Sequence, residues 1–312
     1  MVDKLPLYFL SVNYHSAALI SDMVNTLEDN QGIVVVNNSP SDRTIHRLSS
    51  NSGSSGEVTV IDAPKNDGFG AGCNIGLRWI YARSPHALVW LINPDASLIP
   101  GAVASVRQWL SEAPHTAILG TPILDSQGKL WFGSGRFNRY TGAIASHIGV
   151  RARGRLTPVR WVSGCSMILN FAEMGHCPQF DDTYFLYYED CDLCERYFQA
   201  GYDIALTPTP SVIHAVSSVT GRYVQAKFVH GTFSKLTFLR RHGTWLALGL
   251  NLLYLSGRAL IEMGFNWPVA KGRWQGIWKF LRWRSLSGGD SPSKRSPKDS
   301  SSPSRLNDSA NL

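Results

Sequence analysis

Short apolar runs and stretches of helical spacing take turns along the first hundred residues, and that alternation leaves few architectures open. The runs are Leu7 to Val12, Ile33 to Val36, Val58 to Ile61 and Leu88 to Ile92, while Ala17 to Leu27 and Ala71 to Tyr81 carry apolar residues at helical intervals. Strand, helix and strand in succession predict an α/β fold with a mostly parallel central sheet and right-handed crossovers. Ligands of such sheets bind where loops leave the carboxyl ends of the strands, so those loops are the first place to look for function.

Beyond residue 120 the pattern changes. Gly128, Gly133, Gly135, Gly142, Gly149 and Gly154 punctuate short alternating runs, which predicts hairpins or a flap over residues 121–160. Val162 to Phe171 resumes regular structure, and a helix is expected from Glu189, ending before Gly201. The expected units are a nucleotide-binding domain over 1–225, a helical basic and Trp-rich region over 226–284, and a Ser-, Pro- and Lys-rich disordered tail over 285–312.

Charge is distributed unevenly across these units. The net charge is +7, yet from Arg222 onward fifteen Lys and Arg face only Glu262, Asp290, Asp299 and Asp308. The residues between those cations are Trp, Leu and Phe, which favours a membrane surface over nucleic acid as the partner. Trp245 to Leu255 is too short to span a bilayer and Arg258 interrupts its continuation. Trp274, Ile277, Trp278 and Leu281 share one helical face, as in a helix lying in the interface or docking on the domain. The start of the chain reads as a first strand and not a signal peptide, and five cysteines with a lone Cys191-x-x-Cys194 fit a reducing compartment.

Four polar constellations follow the apolar runs. Asn13 ends the first, and Asn37-Asn38-Ser39 with Asp42 ends the second; such residues can bond a base or ribose, although any turn would also use them. Asn66-Asp67-Gly68-Phe69-Gly70-Ala71-Gly72-Cys73-Asn74-Ile75-Gly76 opens a helix after the third run, where a helix N-terminus favours a diphosphate. Neither the dinucleotide fingerprint nor a Walker loop fits it, and a nucleotide-sugar pocket fits better. Asn93-Pro94-Asp95 closes the fourth run with a carboxylate suited to Mg2+ or Mn2+, and His214 could approach the same cation or the diphosphate. Glu189, Asp190 and Asp192 crowd a helix start behind Tyr184-Phe185-Leu186-Tyr187-Tyr188, and Asp190 could take a proton from an acceptor hydroxyl.

With these stretches in view the sequence resembles glycosyltransferase family two, in particular its rhamnosyltransferase-like branch of bacterial cell-surface polysaccharide synthesis. The resemblance rests on Val34 to Asp42, Asn66 to Gly76, Leu91 to Asp95, Trp161 to Leu169 with Ser163-Gly164-Cys165, and Phe180 to Arg196, in that order. It implies the GT-A fold, a Rossmann-like nucleotide-binding domain, with Asp95 on the metal and Asp190 as base. Asn37 departs from the aspartate usual there, while Asn93 matches the Asn-Pro-Asp form of that branch.

The expected activity is therefore inverting transfer of a sugar, by resemblance a deoxyhexose such as L-rhamnose, from a nucleotide diphosphate donor. The acceptor would be a polyprenyl-diphosphate-linked saccharide at the cytoplasmic face of the inner membrane. Asn13, Asn37, Asn38, Asn66, Gly68, Phe69, Asn74 and Asn93 are expected on the donor; Trp161, Ser163, Gly164, Glu189 and Asp192 are expected around the sugar and acceptor. A sugar nucleotidyltransferase would need a basic glycine-rich loop where Asn13-Tyr14-His15 stands, and a non-catalytic binding protein would not need both acids.

Overall fold

The computed structural model describes residues 4–27, 32–50, 57–147, 154–215 and 224–286. In chain order the strands are β1 (Leu7–Asn13), β2 (Gly32–Asn37), β3 (Val58–Asp62), β4 (Leu88–Ile92), β5 (Ala96–Leu98), β6 (Thr116–Gly120), β7 (Ile123–Asp125), β8 (Leu130–Phe132), β9 (Ser134–Phe137), β10 (Ile144–His147), β11 (Thr157–Pro158), β12 (Ser166–Asn170), β13 (Asp203–Leu206) and β14 (Val212–His214). The helices are α1 (Ala17–Val24), α2 (Arg47–Ser50), α3 (Phe69–Tyr81), α4 (Ala102–Glu112), α5 (Phe171–Met174), α6 (Glu189–Gln199), α7 (Val224–His242), α8 (Trp245–Glu262) and α9 (Trp267–Leu286).

The runs that form β1, β2 and β4 are buried on both faces, as parallel strands covered by crossover helices must be, while β3 at the edge is mostly half-buried. Alternate residues divide between two cores. Phe9, Ile33, Val35, Trp90 and Ile92 pack with Ile20 of α1 and Val106 of α4 on one side. Leu10, Val34, Val36, Val89 and Leu91 pack with Leu77 of α3 and Leu193 of α6 on the other.

The main sheet runs β11-β13-β6-β12-β4-β1-β2-β3. β4, β1, β2 and β3 are parallel neighbours, as are β6 and β13. β12 lies between β4 and β6 and is antiparallel to both. This reversal matters for the site, because the start of β12 arrives beside the carboxyl end of β4, with Ser166 opposite Ile92.

The glycine-punctuated segment forms the β9–β10 hairpin and part of a smaller sheet ordered β5-β14-β7-β8; residues 148–153 within it lie outside the described residues. In the smaller sheet β14 runs antiparallel to β5 and sets His214 opposite Ala96.

The last three helices share a core of Phe233, Leu236, Leu239, Leu248, Leu255, Ile277 and Phe280. They do not stand apart from the preceding domain, since Phe238 of α7 packs with Tyr184 and Cys191 at the start of α6. The shared face expected of α9 is divided: Ile277 is buried in this core while Trp274, Trp278 and Leu281 are exposed. No helix among the described residues is long and apolar enough to cross a membrane. Ser285 and Leu286 complete α9, and the rest of the tail expected to be disordered lies outside the described residues.

Candidate active site

Three strand ends and the start of α3 form one side of the site. Asn37 is fully buried: its Oδ1 accepts from Asn13 Nδ2 at 2.9 Å, and its Nδ2 donates to Asp62 Oδ1 at 2.8 Å. The Asn13 oxygen accepts from the Ser16 amide, so Asn13 and Asn37 act together as a brace across the ends of β1, β2 and β3. Asp62, which sequence reasoning passed over, is the partly exposed member of that chain. The Asn37 amide holds its carboxyl below the ordinary range against a smaller opposing effect of burial, with His46 and Arg43 adding to the lowering. Its signal was available: it ends an apolar run, as Asn13, Asn37 and Asn93 do.

Asn38 donates to the Gly68 carbonyl at 2.8 Å, and the Asn66 side chain accepts from the Gly68 amide at 3.0 Å. Gly68 has φ +103°, and a Cβ there would run into the Phe185 carbonyl, which accepts from the Phe69 amide at 3.0 Å. The glycines that follow serve packing and not approach to a ligand. A Cβ on Gly70 would meet Phe180 at 2.9 Å, and one on Gly72 would meet Asn38 and Val12 at 2.9 Å. Asn74 also differs from expectation. It is buried, accepts from the Phe180 amide at 2.7 Å and donates to the Phe180 carbonyl and Asp182 at 2.9 Å, fastening α3 to the segment before α6 instead of facing a donor.

Asp95 sits just past β4, and His214 Nε2 donates to its Oδ1 at 3.0 Å, both side chains being 7% exposed. The Trp131 ring lies 4.7 Å from the imidazole, and His214 Nδ1 is buried with no hydrogen-bond partner among the described residues. Two ligand atoms at right angles in an octahedral sphere of radius 2.0–2.1 Å are about 3 Å apart, so this carboxylate and imidazole would fit one divalent cation as neighbouring ligands once Nε2 gives up its proton and Nδ1 carries the ring N–H. No group of three or more metal-binding side chains occurs among the described residues; the remaining positions would fall to the donor's diphosphate oxygens and water.

The turn before β12 joins this pair to the acids. The Asn93 amide donates to the Cys165 carbonyl at 3.2 Å, and the Cys165 amide donates to Ser163 Oγ at 3.2 Å. Within the same turn the Gly164 amide donates to Asp190 Oδ2 at 2.9 Å. Trp161 packs edge-on against Phe132 beside this turn, its indole N–H buried without a hydrogen-bond partner among the described residues. Thus Trp161, Ser163, Gly164, Asp190, Asn93 and Asp95 come together at one end of the sheet.

Asp190 and Glu189 open α6, where the helix dipole favours acids. Burial raises the Asp190 carboxyl above its ordinary range, and the Gly164 and Cys191 amides only partly counter this. Burial raises Glu189 further, with the Asp190 charge adding to it, and Glu189 Oε2 is buried without a hydrogen-bond partner among the described residues. Two adjoining carboxyls cannot both ionise cheaply, so the one with two amide donors, Asp190, is the one favoured to carry the charge.

Asp192 was expected to face the acceptor, and the structure places it elsewhere. It is fully buried, accepting from Arg196 Nε at 2.7 Å, His242 Nε2 at 2.8 Å and the Tyr184 hydroxyl at 3.2 Å. Burial works to raise its carboxyl, but the Arg196 guanidinium and the His242 hydrogen bond outweigh this and hold it well below the ordinary range. Through it α7 is bound to the start of α6. The same helix braces the preceding loop: Ser234 Oγ donates to the Leu186 carbonyl at 2.9 Å, and His230 stacks on Phe185 at 4.4 Å. That loop needs bracing, because Tyr187 and Tyr188 both have left-handed backbones, with φ +68° and +67°. Cys191 and Cys194 are buried on α6 as free thiols.

The fold and these elements are those of a GT-A glycosyltransferase. The model of the family described as glycosyl transferase family 2 matches residues 12–172, just over half of the chain, and the protein belongs to that family. The acid pair at 189 and 190 lies beyond the matched segment. An N-acetylglucosaminyl-diphospho-decaprenol L-rhamnosyltransferase of Mycobacterium tuberculosis is 26% identical over 211 residues, 60% of this chain and 69% of that protein. A low-salt glycan biosynthesis hexosyltransferase of Haloferax volcanii is 22% identical over 218 residues, 69% of this chain and 68% of that one. Among solved structures, GalNAc-T7 with UDP, GalNAc and Mn2+ superposes with a TM-score of 0.58 at 11% identity, covering 91% of this chain and 58% of the other.

Proposed function

We propose that the protein transfers a hexose, with L-rhamnose the first candidate, from a nucleoside diphosphate donor to a saccharide on a polyprenyl diphosphate, inverting the anomeric carbon. The observation that carries this reading is the single turn that holds Asp190 through the Gly164 amide and Asn93 through the Cys165 carbonyl, two residues from Asp95. A base and a candidate cation site thus share one rigid support. The names of the Mycobacterium and Haloferax relatives support the hexosyl donor, and the first supports the lipid-linked acceptor.

Asp190 takes the proton of an acceptor hydroxyl, whose oxygen forms a bond to the anomeric carbon from the face opposite the diphosphate. The bond from that carbon to the diphosphate oxygen breaks, and the nucleoside diphosphate leaves with the electron pair. Asp95 and His214 would hold Mg2+ or Mn2+, which would supply positive charge to offset the negative charge developing on the leaving diphosphate. The start of α3, with Asn66, Gly68 and Phe69, and the strand-end residues Asn13, Asn37, Asn38 and Asn93 shape the donor side. Trp161, Ser163 and Gly164 line the sugar beside Asp190, and Glu189 orients an acceptor hydroxyl. Catalysis on a lipid-linked acceptor would take place at the cytoplasmic face of the inner membrane.

The test is release of nucleoside diphosphate by purified protein with Mg2+ or Mn2+, a donor panel and lipid-linked N-acetylglucosamine. Acceptor-dependent release from one donor, lost in Asp190→Asn while donor binding persists, is expected. An Asp190→Asn variant as active as the parent would overturn the assignment of the base, and product of retained anomeric configuration would overturn the mechanism.

A further inference from the structure

Helix α8 is apolar on both sides: Ala247, Leu248, Leu255 and Ala259 are buried against the bundle. Its buried face includes Asn251, 8% exposed, whose amide donates to the Thr141 and Ala247 carbonyls, and Glu262, 4% exposed, which holds Arg258 and Arg273. Its outer face carries Leu246, Leu250, Leu253, Leu260 and Ile261, at intervals that keep them on one side, each more than half exposed. An ordinary surface helix carries polar residues on that outer side. The apolar strip continues through the turn into α9, where Phe265 is 74% and Trp267 56% exposed, and on to Trp278 at 62%. Single exposed apolar residues mean little, but a continuous strip over two helices marks a surface that meets a partner.

The charges around the strip identify that partner. From Val224 to Leu286 the chain has ten Lys and Arg and one acid, Glu262, and that acid is buried against two arginines. Lys271, Lys279, Arg282 and Arg284 are exposed on α9; the Arg282 guanidinium lies over Trp278 at 5.2 Å and that of Arg284 over Trp245 at 5.5 Å. Cations alongside exposed tryptophans suit the headgroup layer of an anionic bilayer. A second copy of this chain meeting it by the same face would set cations against cations with no exposed acid to separate them. Neither helix can span the bilayer, so the strip would lie in its surface.

We infer that the outer face of α8, with the turn into α9 and the Trp278 side of α9, is the surface by which the protein docks on an anionic lipid bilayer. This rests on the reading of a lipid-linked acceptor for its purpose, but not for the binding itself. The face belongs to the helix bundle whose first helix, α7, braces the loop leading to Asp190, so a docked bundle would hold that end of the site at a fixed attitude to the lipid.

The experiment is sedimentation of the full-length protein with phosphatidylcholine vesicles, with and without phosphatidylglycerol, in the absence of any acceptor or donor. The parent is expected to sediment with the anionic vesicles, with a blue shift of tryptophan emission, and to bind neutral vesicles more weakly. Leu250→Gln with Leu253→Gln, both changes being on exposed positions, is expected to lower the partition at least tenfold while leaving the unfolding midpoint unchanged. Lys271→Gln with Lys279→Gln is expected to weaken binding to anionic vesicles and to abolish their advantage over neutral ones. Binding by the leucine variant equal to the parent's, no parental binding to anionic vesicles, or a parental dimer that the leucine changes dissociate would each overturn the inference. None of these results depends on turnover, so a failure of docking and a failure of the proposed transferase reaction are read separately.

Discussion

Removing the Asp192 carboxylate should cost the fold more than any surface change could. Three donors converge on it at 2.7–3.2 Å, and the side chain is 1% exposed, so Asp192→Ala leaves Arg196, His242 and the Tyr184 hydroxyl without their acceptor. Breaking a buried ion pair from one side costs about 3–5 kcal/mol. At 1.36 kcal/mol per tenfold this is roughly two to four powers of ten in the folded-to-unfolded ratio. Urea unfolding followed by tryptophan emission should show a midpoint lower by roughly 1 M or more. His242→Ala removes part of the same cluster, so the double variant should lose clearly less than the two single losses added together. The pH dependence follows from the direction of the Asp192 shift. A carboxyl held low in the folded state contributes fully above its unfolded value, about 3.9, and loses the contribution progressively as pH falls from there through the lower folded value. The gap between parent and Asp192→Ala should therefore be constant from neutral pH to about pH 5 and close only in stronger acid. A loss below about 1 kcal/mol, the value of an exposed pair, or full additivity with His242→Ala would refute this reasoning.

Other predictions concern turnover. Because burial raises the Asp190 carboxyl and its ionised form is the proposed base, kcat/KM should fall on acidification through a limb above the usual carboxylate range, and Asp190→Asn should lower kcat by about 10²–10⁴ with donor affinity kept; a limb unmoved by Asp190→Glu would count against it. His214→Ala should raise the Mn2+ concentration needed for half-maximal activity, measured by metal titration, and an unchanged requirement would remove His214 from the cation site. Gly68→Ala should weaken donor binding in calorimetry, since a Cβ would displace the Phe185 carbonyl and φ +103° strains an L-residue by about 1–3 kcal/mol.

Much of the frame is legible in the order of residues alone. Apolar runs alternating with helical spacing led to β1 to β4 with α1 and α3 between them, because periodicity reports which faces are buried. The strand-end motifs likewise located the loops that converge, and Asp95 and His214, 119 positions apart, do meet. The chemistry of a residue type and its place at a strand end are local facts, and local facts survive in a linear chain. Partners are not local. Asp192 and Asn74 looked like ligand-facing polar residues, yet His242 and Phe180, brought in from 50 and 106 positions away, take up their side chains. The glycines after Gly68 looked suited to ligand approach, whereas the close packing of α3 on Phe180 and Asn38 accounts for Gly70 and Gly72. The antiparallel insertion of β12 had no signal in its composition, since a buried strand reads alike in either direction, yet the turn that leads into it carries Gly164 to Asp190. Nor could composition say which side of α8 faces outward. Hydrophobicity states how strongly a surface avoids water, and only the packed neighbours decide which apolar face finds protein and which is left for another partner.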